Sequence, residues 1–132
     1  MNIDHLNQLS LEVRRNVIEY AKVGTVYHFG GELSCVEIMV YIYSEFIGDL
    51  NQKKRSQFIM SKGHSCFSLY CLLAQMGYFD KEELYSYKQL DSVFQGHPDM
   101  KKSSYIDFSS GSLGQGLSVG VGKALAIDYM ET

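Results

Sequence analysis

The chain has 132 residues, 45% of them apolar and 20% charged, with 12 Lys and Arg against 15 Asp and Glu for a net charge of -3. That length holds one small domain and the composition excludes a disordered tail. The near balance of charge leaves no global field to draw in nucleic acid or an anionic membrane.

Leu6, Leu9, Val13, Val17 and Tyr20 recur at helical spacing, which predicts a first helix over residues 5–23, with Asp4 as N-cap and Gly24 as its stop. Residues 25–34, with His28, Gly30 and Gly31, read as a loop. Ser34 and Glu37 have capping-box spacing. Val36, Met39, Val40, Tyr43, Phe46 and Ile47 then give an amphipathic helix ending near Gly48. Lys53, Lys54 and Arg55 read as a solvated turn. The short apolar run Phe58–Met60 is expected to be a buried strand, with Ser61-Lys62-Gly63-His64 at its end. A helix should follow at once, with Leu69, Leu72, Leu73 and Met76 inward and Gly77 as stop.

Asp80 and Glu83 form a second capping box, opening a short helix to about Gln89. Residues 91–112 look irregular. Gly114, Gly116, Gly120 and Gly122 then punctuate an otherwise helical stretch up to Met130. Each interior glycine costs about 1 kcal/mol against alanine. Gly116, Gly120 and Ala124 share one face, and a face so bare is of use only where a backbone or a ligand comes close. The single proline, Pro98, suits this helix-rich plan. One strand cannot make a parallel sheet, so the expected class is α/β but partial, helix-rich with few parallel strands.

Cys35, Cys66 and Cys71 lack Cys-x2-Cys spacing, which argues against a disulfide framework or structural zinc and for three buried thiols. The first residues read as no secretory signal and no window reaches 18 apolar residues, so the expected setting is the cytoplasm.

Of the histidines, His5 belongs to a helix surface, while His28, His64 and His97 sit in three loops. They are either parts of one site built where loops meet or three independent loop residues. Lys62-Gly63-His64 at a helix start offers free amides, the positive end of the helix dipole and an imidazole, a combination suited to phosphate, although a simple capped turn would look the same. The stretch Gly111–Lys123 matches neither a P-loop nor a dinucleotide fingerprint.

Taken together, four blocks resemble the N-terminal, diphosphate-binding part of transketolases, and most of all the N-terminal subunit of split transketolases. The blocks are Tyr27–Ser34 with Val36-Glu37-Ile38, Phe58–His64, Gly96–Asp99, and Ser110–Leu117 running on to Gly122, Ala124 and Ala126. The resemblance implies that His64, Gly111, Ser112 and Leu113 bind thiamine diphosphate, and that His28 and His97 meet sugar hydroxyls. It implies transfer of a two-carbon ketol unit between sugar phosphates. The family's Gly-Asp-Gly magnesium motif does not occur, and Asp128 and Glu131 lack its glycines, so residues 1–132 are expected to be a single incomplete diphosphate-binding domain ending before that motif. Magnesium would then have no ligand in this chain, and activity would need a complementary transketolase chain or a homo-oligomer, with no nucleic acid and no membrane involved. The alternative is an inactive remnant serving as an interaction module. Val26-Tyr27 and Glu32 depart from the small residues usual near that first histidine, and bulk or charge there is expected to alter substrate fit.

Overall fold

A computed structural model describes residues 2–21 and 27–131 of the chain. Helix α1 spans Ile3–Tyr20 and buries Val13, Val17 and Tyr20, with Leu6 and Leu9 packed beside them. Its N-cap is Asn2, whose side chain accepts from the His5 N–H, and not Asp4. Asp4 lies inside the first turn, where the helix dipole favours a carboxylate. Lys22, Gly24 and Val26 fall outside the described residues.

The segment expected to be a loop contains a short helix, α2, Phe29–Leu33. Its glycines lower helix propensity, but packing decides the outcome. A Cβ on Gly31 would run into Ser65 Oγ and sit 3.3 Å from His64 Nε2, so the bare turn settles directly on the start of a later helix. Helix α3 follows at Val36–Ile42 with Cys35 as N-cap. The first capping box is not formed. Ser34 Oγ donates to Gly31 O, and Glu37 turns to Arg14, which grips it at 2.7 and 2.8 Å. A π-helical turn, Tyr43–Ile47, extends α3 to Gly48, whose φ of +69° ends it as expected. That wider turn shifts the register. Ile47 stays buried while Phe46, expected inward, is 61% exposed and meets Tyr41 at the surface.

The run Phe58–Met60 makes no strand, and no strand occurs among the described residues, so the helix-rich part of the expectation is present and the parallel strands are not seen. A strand exists only through a ladder. Here the neighbours supply side chains instead: Asp107 Oδ2 accepts from the Phe58 N–H at 2.8 Å, and Ser110 Oγ donates to Met60 O at 2.6 Å. Arg55 departs from the expected solvated turn. It makes a two-pronged pair with Asp107, at 2.7 and 2.9 Å, with the two side chains only 11% and 7% exposed.

Helix α4, Cys66–Gln75, is the centre of the molecule, buried from Cys66 through Ala74. Helices α1, α2 and α3 pack around it. Gly77, with φ +86°, closes the turn after it. Asp80 opens the next element, accepting from the Glu82 N–H, but that element is a 3-10 helix, Lys81–Ser86. Phe67, Tyr70, Tyr87, Phe94 and Phe79 pack edge-on or tilted against one another over α4. The three cysteines are free and buried.

Helix α5, Gln115–Glu131, crosses the 59–61 segment with its glycine face. A Cβ on Gly116 would lie 2.6 Å from Ser61 Cβ, and one on Gly120 would lie 3.5 Å from Ile59 Cδ1. The bare face therefore serves close approach of protein to protein. No helix among the described residues is long and apolar enough to cross a membrane.

Candidate functional site

Gly63–Ser65 forms a 3-10 turn that runs straight into α4, so His64 stands at the amino end of the most buried helix. Its ring is partly exposed and lies edge-on to the His28 ring, with centroids 5.2 Å apart. Burial pushes the His64 pKa down from its ordinary 6.5, and positive charge on His28, Lys62 and His97 pushes the same way. A neutral imidazole results at pH 7, with one N–H donor and one acceptor.

Gly63 lets the glycine-rich segment come close. A Cβ there would lie 2.7 Å from Ser110 Oγ and 2.8 Å from Ser110 O. Gly111 follows, and its own Cβ would sit 3.8 Å from His97 Cδ2. His97 is exposed on a turn held from below by the Tyr70 hydroxyl, which contacts the carbonyls of Gln95 and His97 at 3.2 and 3.3 Å. Asp99, kept below the usual carboxylate range by the Lys101 N–H, also accepts from Ser109 Oγ and so ties the His97 turn to the segment before Gly111. Ser112 and Leu113 are exposed in the bend before α5.

Of the six residues singled out from sequence, then, His28 and His64 are in ring contact, and Gly111 adjoins His97. Ser112 and Leu113 extend the rim at Gly111. Lys62 ties the His64 turn to α2: its Nζ donates to Gly31 O and Ser34 Oγ, both at 3.1 Å. Sequence reasoning treated Lys62 only as part of the helix-start motif, because a long-range bond to a carbonyl leaves no local pattern. It also missed the burial of Glu32, which follows two glycines and reads as a loop residue, yet is fully buried.

A diphosphate group needs donors at an accessible surface. The partly exposed, neutral His64 ring at the turn leading into α4 supplies a donor, and the exposed backbone at Gly111 leaves space beside it, so this set fits thiamine diphosphate. Among the described residues no three His, Cys, Asp or Glu side chains converge as a metal site would require.

Residues 8–131 match the family described as "Transketolase, thiamine diphosphate binding domain". The chain belongs to this family. It is 33% identical over 130 residues to an apulose-4-phosphate transketolase subunit of Phocaeicola vulgatus, covering 96% of this chain and 46% of that protein. To the 6-deoxy-6-sulfo-D-fructose transketolase subunit SqwG of Clostridium sp. it is 36% identical over 130 residues, covering 91% and 47%. A transketolase of Staphylococcus aureus matches at 32% over 132 residues, 97% of this chain and 19% of that enzyme. The chain spans about half the length of the subunit-type relatives it matches.

Proposed function

We propose that residues 1–132 are the first part of the diphosphate-binding domain of a thiamine-diphosphate-dependent transketolase, which moves a two-carbon ketol unit between sugar phosphates together with a complementary chain or a second copy. The observation that carries this is the placing of His64 at the head of α4, in ring contact with His28, while the adjoining Gly63 packs on Ser110 next to Gly111 and His97. Relatives whose names identify them as transketolase subunits support the pairing with a complementary chain.

When bound, thiamine diphosphate supplies the ylid and electron sink for two-carbon transfer. The chain's own contribution is to bind and orient. His64, neutral, donates to a diphosphate oxygen alongside amides at the head of α4. Gly111, Ser112 and Leu113 flank the cofactor without filling its space. His28 and His97 donate to sugar hydroxyls from two sides of the opening. In this reading magnesium takes its oxygen ligands from outside residues 1–132, and Phe58–Met60 is one strand of a parallel sheet whose neighbours come from there too. The three buried thiols suit a reducing cytoplasm.

The test is reconstitution with a complementary transketolase chain carrying the magnesium motif, in the presence of thiamine diphosphate and magnesium. Two-carbon transfer from a ketose phosphate to an aldose phosphate is expected from the mixture and not from this chain alone. Turnover by the isolated chain, or none with any complementary chain, contradicts the proposal.

A further inference from the structure

Glu32 is a charged residue with no exposed surface. It holds His28 by both backbone groups. The Glu32 N–H donates to His28 O at 2.9 Å, and Glu32 Oε1 accepts from the His28 N–H at 3.4 Å. The imidazole of His28 takes no part in capping α2, so it is left outside, exposed and against His64. Glu32 Oε2 is buried and finds no hydrogen-bond partner among the described residues.

An acid so placed is unusual, because an unpaired buried carboxylate is costly. Its surroundings are mixed. His28 and Lys88 favour its charge, while Cys66 and Cys71 of α4 and the Tyr87 hydroxyl contribute no positive charge. Burial outweighs the two cations and raises its proton affinity above the ordinary glutamate value. A group with no structural need for charge could have been apolar, and neither a serine nor an alanine could reach the His28 N–H from that position.

We propose that Glu32 is a positioning residue: by accepting from the His28 N–H its carboxyl sets the turn that presents this imidazole, and the placing of His28 follows the protonation of the Glu32 carboxyl. That His28 then meets a sugar hydroxyl rests on the proposed function; that Glu32 places His28 does not.

The test is NMR on the labelled chain across the acidic to neutral range, following the Glu32 carboxyl carbon, the His28 amide and the contact between the His28 and His64 rings. The parent chain is expected to show the carboxyl and the His28 amide sharing one inflexion above the ordinary glutamate value. Glu32→Gln, which keeps an acceptor, is expected to abolish that inflexion and preserve the ring contact. Glu32→Ala is expected to lose both. A His28 amide whose titration is the same in the parent and in Glu32→Gln overturns the proposal, whether or not Glu32→Ala folds. Thiamine diphosphate with magnesium is added in a parallel titration of the labelled chain joined to its complementary chain. A shared inflexion without cofactor binding supports Glu32 and counts against the proposed function, whereas binding without the inflexion does the reverse.

Discussion

The buried carboxyl of Glu32 and the paired carboxyl of Asp107 show how differently two acids act within one small core. Burial raises the Glu32 pKa, so the folded state holds its proton more tightly than the unfolded chain does. Stability from this group is therefore full below the unfolded value of about 4.3 and is lost as pH rises through the raised folded value. Glu32→Gln is expected to flatten that fall and to raise the urea midpoint near neutral pH; an unchanged slope between acidic and neutral pH contradicts it. Glu37 works in the opposite sense, since its bond to Arg14 lowers its pKa, but that pair is exposed and contributes at most about 1 kcal/mol. Asp107 is the costly one to remove. Asp107→Ala strands a mostly buried Arg55 and leaves the Phe58 N–H without its acceptor, so a loss of about 3–5 kcal/mol in chemical denaturation is expected. Arg14→Ala serves as the comparison, with a loss under about 1 kcal/mol.

At the scale of elements, α5 separates glycines that approach something from glycines that do not. Gly116→Ala would push a methyl into Ser61 and is expected to destabilise by about 1–3 kcal/mol. Gly122 has nothing within 4 Å of a built Cβ, so Gly122→Ala is expected to stabilise by up to about 1 kcal/mol through helix propensity alone. Thermal melting of the two variants should move in opposite directions; equal shifts would mean the glycine face is not packed as described. The periodic elements were legible in the sequence for a simple reason. Val13, Val17 and Tyr20 of α1 are inward because burial there follows the 3.6-residue repeat, while Leu69, Leu72 and Leu73 belong to α4, which is apolar and buried on every face. What was not legible depends on distant partners. Glu37 left its capping box for Arg14, 23 residues away, and α2 formed across two glycines because Gly31 settles on Ser65. The π-helical turn at Tyr43–Ile47 turned Phe46 outward, and an apolar pattern alone carries no sign of such a shift.

For the molecule as a whole, the site residues lie on one side of α4 while α5 presents a broad apolar surface. Leu117 is 75% exposed and Leu125 65%, with Val121, Ile127 and Met130 also exposed. A patch of that kind on a small chain marks an association surface. Self-association of the isolated chain is therefore expected by sedimentation velocity, and Leu117→Lys with Leu125→Lys should reduce it; a clean monomer before any substitution contradicts this. From spacing alone the three histidines fitted either one site where loops meet or three separate loop residues, since the sequence shows neither the ring contact of His28 with His64 nor the approach of Gly111 to His97. The blocks shared with transketolases favoured the single site.

The central claim is that the head of α4 grips a diphosphate through His64. Calorimetric titration of thiamine diphosphate with magnesium, into the chain joined to its complementary chain, tests it most directly. The predicted result is binding to the parent protein, weakened about tenfold or more in His64→Ala, as the loss of a hydrogen bond to a charged group of about 1.5–3 kcal/mol requires. Equal affinity in the parent and His64→Ala would contradict it.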